Sequence, residues 1–190
     1  NDPFWLFPVW DPATASHRGM IGLALALAWF ASGQKIPFLH LGDIISSAAP
    51  PGLLVVRLAN FINGELWGRV RTVPWAVIFP RSMPGVPISL IPPRHPSQLY
   101  EAGLEGALLL IFMQWRFWRS DIVCRQPGRL SGEFFLAYAV ARVLGERFRE
   151  PDASLILGLS RGTFYSIFLI AIGLWLCLRK KDPLPGYASA

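Results

Sequence analysis

An all-α, polytopic membrane helix bundle is the fold class this sequence predicts, and three observations predict it. Of the 190 residues, 53% are hydrophobic and 16% charged, with a mean hydropathy of +0.39, too apolar for a soluble domain of this size. The apolar residues gather into five runs, 19–33, 39–67, 98–118, 132–148 and 162–178, each read as a membrane segment of a single domain. Three of those runs carry charged or amide side chains at helical spacing, which suits a bundle with a polar interior and a lipid-facing exterior.

The arm before the first run, residues 1–18, is polar and Pro-rich, with Phe4, Trp5, Phe7 and Trp10 suited to a membrane surface. The run 19–33 is short for a spanning helix, which needs about 20 residues. The run 39–67 is long but interrupted by Pro50-Pro51-Gly52, which predicts a discontinuous helix. Residues 70–96 form a Pro-rich loop outside the membrane. The run 98–118 is a clear spanning helix, followed by the basic loop 119–129. The run 132–148 is a second polar-studded helix, and 162–178 is uniformly apolar and closed by Arg179-Lys180-Lys181. That cluster and all three lysines fall on one side when each run crosses once, so the C-terminus is expected in the cytoplasm and the 70–96 loop outside it.

An excess of Lys and Arg over acidic residues, 18 against 12, would suggest nucleic acid in a soluble protein. Here the basic residues are spread between apolar runs, so anionic lipid of the bilayer is the expected partner and nucleic acid is not. Cys124 and Cys177 have neither metal-ligand spacing nor the pattern of a disulfide framework. No basic segment followed by an apolar stretch and a cleavage site is visible in the chain, and it reads as the later part of something longer.

The chemistry gathers in three places. In Arg57-Leu-Ala-Asn60-Phe-Ile-Asn63-Gly64-Glu65-Leu-Trp67-Gly68-Arg69, residues Arg57, Asn60 and Gly64 recur at i, i+3 and i+7 on one helical face. A guanidinium, carboxamides and glycines on one face suit a phosphate, the favoured reading; the alternative for Arg57 taken alone is a buried interhelical ion pair. Asn63-Gly64 also reads as a turn that ends the helix. Tyr138, Arg142, Glu146 and Arg149 stand close to one helical stripe, either an ion-pair ladder or a net positive surface requiring an anion or a further acid. Gln98, Glu101 and Glu105, at i, i+3 and i+7, are candidates for that acid or for helix–helix hydrogen bonding. His17 at the start of an apolar run reads as a general base or as an interface residue, and His95 before Pro96-Ser97 as a helix anchor with Ser97 the cap.

Taken together, Arg57 to Arg69, Pro93-Arg-His-Pro-Ser-Gln-Leu-Tyr100-Glu101 and Phe148-Arg-Glu-Pro-Asp152 resemble, in order and spacing, the motifs of bacterial prolipoprotein diacylglyceryl transferase. The resemblance covers essentially the whole chain and corresponds to the family's last two-thirds, without its first membrane helices. It implies an integral enzyme of the bacterial inner membrane that needs no cofactor or metal. Such an enzyme moves the diacylglyceryl group of phosphatidylglycerol onto the lipobox cysteine thiol of a prolipoprotein signal peptide, releasing glycerol phosphate. Carried over residue by residue, it implies catalytic roles for His17, Arg142 and Glu146. It implies phosphatidylglycerol contacts for Arg57, Asn60, Asn63, Glu65, Gly68, Arg142 and Arg149, with His95, Tyr100 and Glu101 as further candidates. Two departures stand out: Arg18 replaces a glycine in the family's His-Gly-Gly motif, and Ala59 replaces the glycine after Arg-Leu. A non-enzymatic membrane anion or lipid transporter would share the intramembrane arginines, but transporters commonly carry internal repeats and no repeat appears in this sequence. An inactive fragment of the transferase would share every motif.

Overall fold

The computed structural model describes residues 12–150, 158–180, 182–185 and 187; the side chains of residues 12–18, 20 and 21 fall outside that description. Among the described residues the chain is helical, with isolated bridges in place of strands. Helix α1 spans Pro12–Gln34, α2 Phe38–Asn63, α3 Ser97–Glu101, α4 Leu109–Arg119, α5 Ile122–Arg125, α6 Arg129–Glu146 and α7 Arg161–Leu178. A π-helical segment, Ala102–Leu108, joins α3 to α4 without interruption, so one long helix covers 97–119.

By length and composition two of these helices, α2 and α7, are apolar enough to cross a membrane. The distribution of side chains is inverted relative to a soluble core. Ile62, Ile111, Trp118 and Leu178 are largely exposed, whereas Asp43, Gln98, Glu101 and Glu105 are fully buried. A smaller apolar cluster of Leu109, Met113, Ile122, Val123 and Leu130 closes the opposite end, where α4, α5 and α6 meet.

The boundaries depart from the sequence expectation at several places, each for a local reason. Helix α1 begins at Pro12, inside the stretch 1–18 expected as an interfacial arm, whose residues 1–11 lie outside the described residues; proline's fixed φ and missing N–H suit a first helical turn. The expected break at Pro50-Pro51-Gly52 does not occur, and α2 runs through both prolines. Pro51 has no N–H to offer the carbonyl of Ser47 four residues earlier, and the side-chain Nε2 of Gln114 donates to that carbonyl instead, at 2.9 Å. The run 39–67 ends as a helix at Asn63, where Gly64 turns left-handed (φ 63°). The N–H of Gly64 then bonds Phe61 at 3.0 Å and that of Glu65 bonds Asn60 at 2.9 Å, the paired closure of a Schellman cap. Ser97 does not cap α3, since its hydroxyl donates to the Leu66 carbonyl at 3.1 Å. The run 132–148 is helical only to Glu146, so Phe148 and Arg149 lie past its end.

Two devices hold the bundle. The buried carboxylate of Asp43 on α2 accepts from the backbone N–H groups of Gly128 and Ser131 and from the Ser131 hydroxyl, each at 2.7 Å. It thereby caps the start of α6 from another helix, satisfying donors that have no intrahelical acceptor. Gly132 and Gly173 let α6 and α7 touch backbone to backbone, since an added Cβ at either would lie 2.9 or 3.0 Å from the other's carbonyl oxygen.

At the other end, the segments after α2, before α3 and after α6 are sewn together. Gly68 N–H donates to the His95 carbonyl at 3.0 Å, His95 N–H to Arg69 at 3.1 Å and Arg69 N–H to Phe148 at 2.9 Å. Arg94 reaches the Gly68 carbonyl at 3.3 Å and forms an ion pair with Glu150. The three motifs therefore meet at one junction, with Gly68 at its centre. A Cβ there would lie 2.5 Å from the His95 carbonyl oxygen and 2.7 Å from that of Phe148. Gly68→Ala is expected to destabilise the fold by more than about 2 kcal/mol. Gly52→Ala, at a helical position with nothing within 4 Å of the new methyl, should be neutral or stabilising by up to about 1 kcal/mol. Thermal unfolding of the two variants in the same detergent checks the contrast, and equal melting temperatures would refute the junction's role.

Candidate functional site

Just inside this junction α2, the α3–π helix and α6 bring their ionic side chains together. Arg57 projects from α2 with its Nη1 3.0 Å from Glu101 Oε2, while its Nε and Nη2 reach Glu105 Oε2 at 3.2 and 2.8 Å. Arg142 projects from α6 with Nη1 3.1 Å from Glu101 Oε1 and 3.4 Å from Glu105 Oε1. Its Nη2 meets Glu146, one turn further along α6, at 3.1 Å. Arg149, beyond the helix end, places Nη1 3.6 Å from Glu101 Oε1. Each of the two central carboxylates is thus shared between helices: Glu105 takes one arginine on each oxygen, and Glu101 takes three.

The packing that permits this is sequence-local. Gly106 allows the π segment to press against α2, since its Cβ would lie 2.7 Å from the Leu54 Cα. Gly145 leaves room for Glu101, whose Cγ would be 3.1 Å from an added methyl. Gly162 at the start of α7 closes over the cluster, where a Cβ would stand 2.6 Å from Glu146 Oε2 and 2.9 Å from Arg142 Nε. Both central glutamates are completely buried, and the side chains of Arg57 and Arg142 are only 12% and 14% exposed. In surroundings of low dielectric, losing one member would strand a buried charge at a cost of about 3–5 kcal/mol. Three guanidiniums and three carboxylates balance among the described residues.

The geometry resolves the alternatives left open by the sequence. The ladder step Arg142–Glu146 is formed, and the further acid that the positive stripe required is supplied by Glu101 and Glu105. Arg57 and Arg142, 85 positions apart in the sequence, face the same two carboxylates. Other candidate residues stand elsewhere. Asn60 is half-buried one turn after Arg57, with its carbonyl used in the helix cap. Asn63 and Glu65 are exposed beside Arg81, which bonds the Asn63 carbonyl at 2.7 Å and lies 3.8 Å from the Glu65 carboxylate. Gly68 serves the junction through its backbone. His95 Nδ1 and the Tyr100 hydroxyl are hydrogen-bonded at 3.1 Å, and that hydroxyl accepts at 2.6 Å from Trp75 Nε1, which can only donate. Phe148 packs edge-on against both rings. His17 lies in α1, with its side chain outside the described residues.

Sequence reasoning missed Asp43, Gln114, Gly106 and Gly162. An acid within an apolar run was a signal for Asp43, whereas nothing local distinguishes Gly106 or Gly162 from the other glycines.

Comparison with known proteins agrees with the three-motif arrangement. The family model described as prolipoprotein diacylglyceryl transferase matches residues 1–179. The phosphatidylglycerol–prolipoprotein diacylglyceryl transferase of Zymomonas mobilis subsp. mobilis is 44% identical over 184 residues, covering 95% of this chain and 62% of the relative. The proteins of the same name from Bradyrhizobium diazoefficiens and Idiomarina loihiensis are each 43% identical, covering 96% and 97% of this chain and 65% and 66% of the relatives. The chain therefore spans a little under two-thirds of the length of these relatives. With three motifs that are distant in sequence and joined in space, and with a family match over nearly all its length, the chain belongs to the prolipoprotein diacylglyceryl transferase family.

Proposed function

We propose that the whole protein containing this chain transfers the diacylglyceryl group of phosphatidylglycerol to the lipobox cysteine thiol of prolipoproteins, in the bacterial inner membrane. The observation that carries the reading is the pair Arg57 and Arg142, held on two helices across one pair of buried carboxylates. Displacement at the glycerol C3–O bond needs a nucleophilic sulfur at the carbon and a cationic site for the phosphate that leaves. Two guanidiniums fixed in advance can take up charge as it develops on the phosphate oxygens, with little reorganisation. The family match, and the names carried by relatives 43–44% identical, support the same chemistry.

In this reading Arg57, Asn60, Arg142 and Arg149 bind the phospholipid, Glu146 orients Arg142, and His17 accepts the thiol proton. Asn63 and Glu65 stand at the exposed rim with Gly68 behind them, and His95 and Tyr100 line the approach. All five helical runs are membrane segments of one domain, with the junction on the extracytoplasmic face and the C-terminus in the cytoplasm. The outward-facing Ile62, Ile111 and Leu178 support contact with lipid.

Arg57→Lys tests the function most directly. A lysine keeps the charge but not the fork that reaches Glu101 and Glu105 together. Losing one charge-assisted hydrogen bond should lower transfer per folded molecule by about 10–100-fold, measured from phosphatidylglycerol to a lipobox peptide with the whole enzyme. A rate equal to wild type would sink the clamp.

His17→Ala should slow single-turnover transfer by roughly 10²–10⁴ while leaving lipid binding near normal. Because a base must be neutral to accept a proton, the acidic limb of the wild-type pH–rate profile should vanish with it. Unchanged turnover would move the proton acceptor elsewhere. For topology, a reporter fused after Lys181 should be active only in its cytoplasmic form; extracytoplasmic activity would reverse the orientation.

A further inference from the structure

Gln98 is completely buried on α3, one turn before Glu101 on the same face and about 4.5 Å from it along the axis. Its Nε2 donates to the Glu65 carbonyl at 2.5 Å. A backbone carbonyl only accepts, so this bond fixes which end of the amide is nitrogen and leaves Oε1 as an acceptor facing away from Glu65. No hydrogen-bond donor among the described residues meets Oε1. A buried amide oxygen without a donor is costly in any fold and calls for a ligand or a role.

Its surroundings define the ligand. Glu101, the next residue on that face, is in contact with Arg57, Arg142 and Arg149, the groups proposed to hold the phosphate. Ser97 and Arg94 fasten the loop that Gln98 grips, at the carbonyls of Leu66 and Gly68. An acceptor beside a phosphate site takes a hydroxyl or an N–H from the group esterified to that phosphate. Of the donors that an ester group there can carry, a hydroxyl is the one that the glycerol headgroup of phosphatidylglycerol supplies, and a neutral donor leaves the charge balance of the cluster unchanged.

We propose that Gln98 Oε1 accepts a hydrogen bond from a hydroxyl of the headgroup glycerol, making Gln98 a specificity-determining residue for the phospholipid donor. The proposal rests on the phosphatidylglycerol reading above and adds the selection of headgroup to it. A headgroup without hydroxyls would leave Oε1 buried and unpaired, and such a site rejects the deficient analogue more strongly than a purely apolar pocket would.

The test is a cycle of two enzymes and two donors, using the whole enzyme with folded protein counted. The donors are phosphatidylglycerol and its analogue with a plain propyl headgroup, and the acceptor is a lipobox peptide. Wild type should use the propyl donor with kcat/KM lower by about 10–100-fold. In Gln98→Ala the two donors should be used within about two-fold of each other, because the discriminating acceptor is gone. A purely structural Gln98 would lower both rates together and preserve the wild-type ratio, which overturns the proposal. Equal use of both donors by wild type overturns it without any variant, and where Gln98→Ala folds poorly, Gln98→Met, which keeps the length and removes the amide acceptor, carries the same comparison. Use of phosphatidylethanolamine as readily as phosphatidylglycerol by wild type would overturn the hydroxyl assignment. Wild type that transfers from neither phosphatidylglycerol nor its analogue would instead overturn the proposed function, and this inference with it.

Discussion

Two buried carboxylates on one helix, Glu101 and Glu105, are the constraint on which the rest of this structure depends. Each draws arginines from other elements, and together they fix α2 and α6 against the α3–π helix. Charges so deep in an apolar bundle are tolerated only as a balanced set, because removing one leaves its partners desolvated. The features around the cluster follow from that requirement. Gly106, Gly145 and Gly162 bring backbones close enough for the carboxylates and guanidiniums to meet. The π-helical stretch lies on the same segment, between Glu101 and the regular α4, as such stretches often do beside functional groups.

Polar capping at both ends keeps this arrangement in register. At the apolar end Asp43 caps α6 from α2, and a two-pronged pair between Arg116 and Glu133, at 2.7 and 2.8 Å, ties α4 to α6. At the motif end the backbone junction through Gly68 joins three chain segments that no single helix could connect. Between them, Gln114 satisfies the carbonyl freed by Pro51 and allows α2 to remain whole. A continuous α2 matters for the site, because it carries Asp43 at one end and Arg57 toward the other on one rigid element.

For the family reaction, the cluster means that the arginines are prearranged by internal anions. A phosphate arriving between Arg57 and Arg142 would find guanidiniums already spaced and oriented by Glu101 and Glu105, so the ordering entropy is spent in folding. The same carboxylates would compete with the phosphate, which favours an anion whose charge grows during reaction over one whose charge is constant. In the proposed reading, selectivity for the ester group beyond the phosphate falls to neutral side chains beside the cluster, among which the buried Gln98 has an acceptor to spare.

The sequence by itself determined the helical class, the five apolar runs and the identity of the residues that carry charge into them, because hydropathy and 3.6-residue periodicity are local properties. It also placed Arg57, Arg142, Glu101 and Glu105 on defined helical faces, and it marked Asn63-Gly64 as an alternative helix end while running the segment on to Trp67. It misjudged Pro50-Pro51-Gly52 and Ser97, since whether a freed carbonyl or a hydroxyl finds a partner depends on Gln114 and Leu66, which are distant in sequence. It left the arginines undecided between a ladder and an open anion site, because only the packing of α2 and α6 onto one helix brings the compensating acids to them. Pairing across 37 to 48 positions is decided by close approach at glycines, and close approach is a property of the tertiary structure.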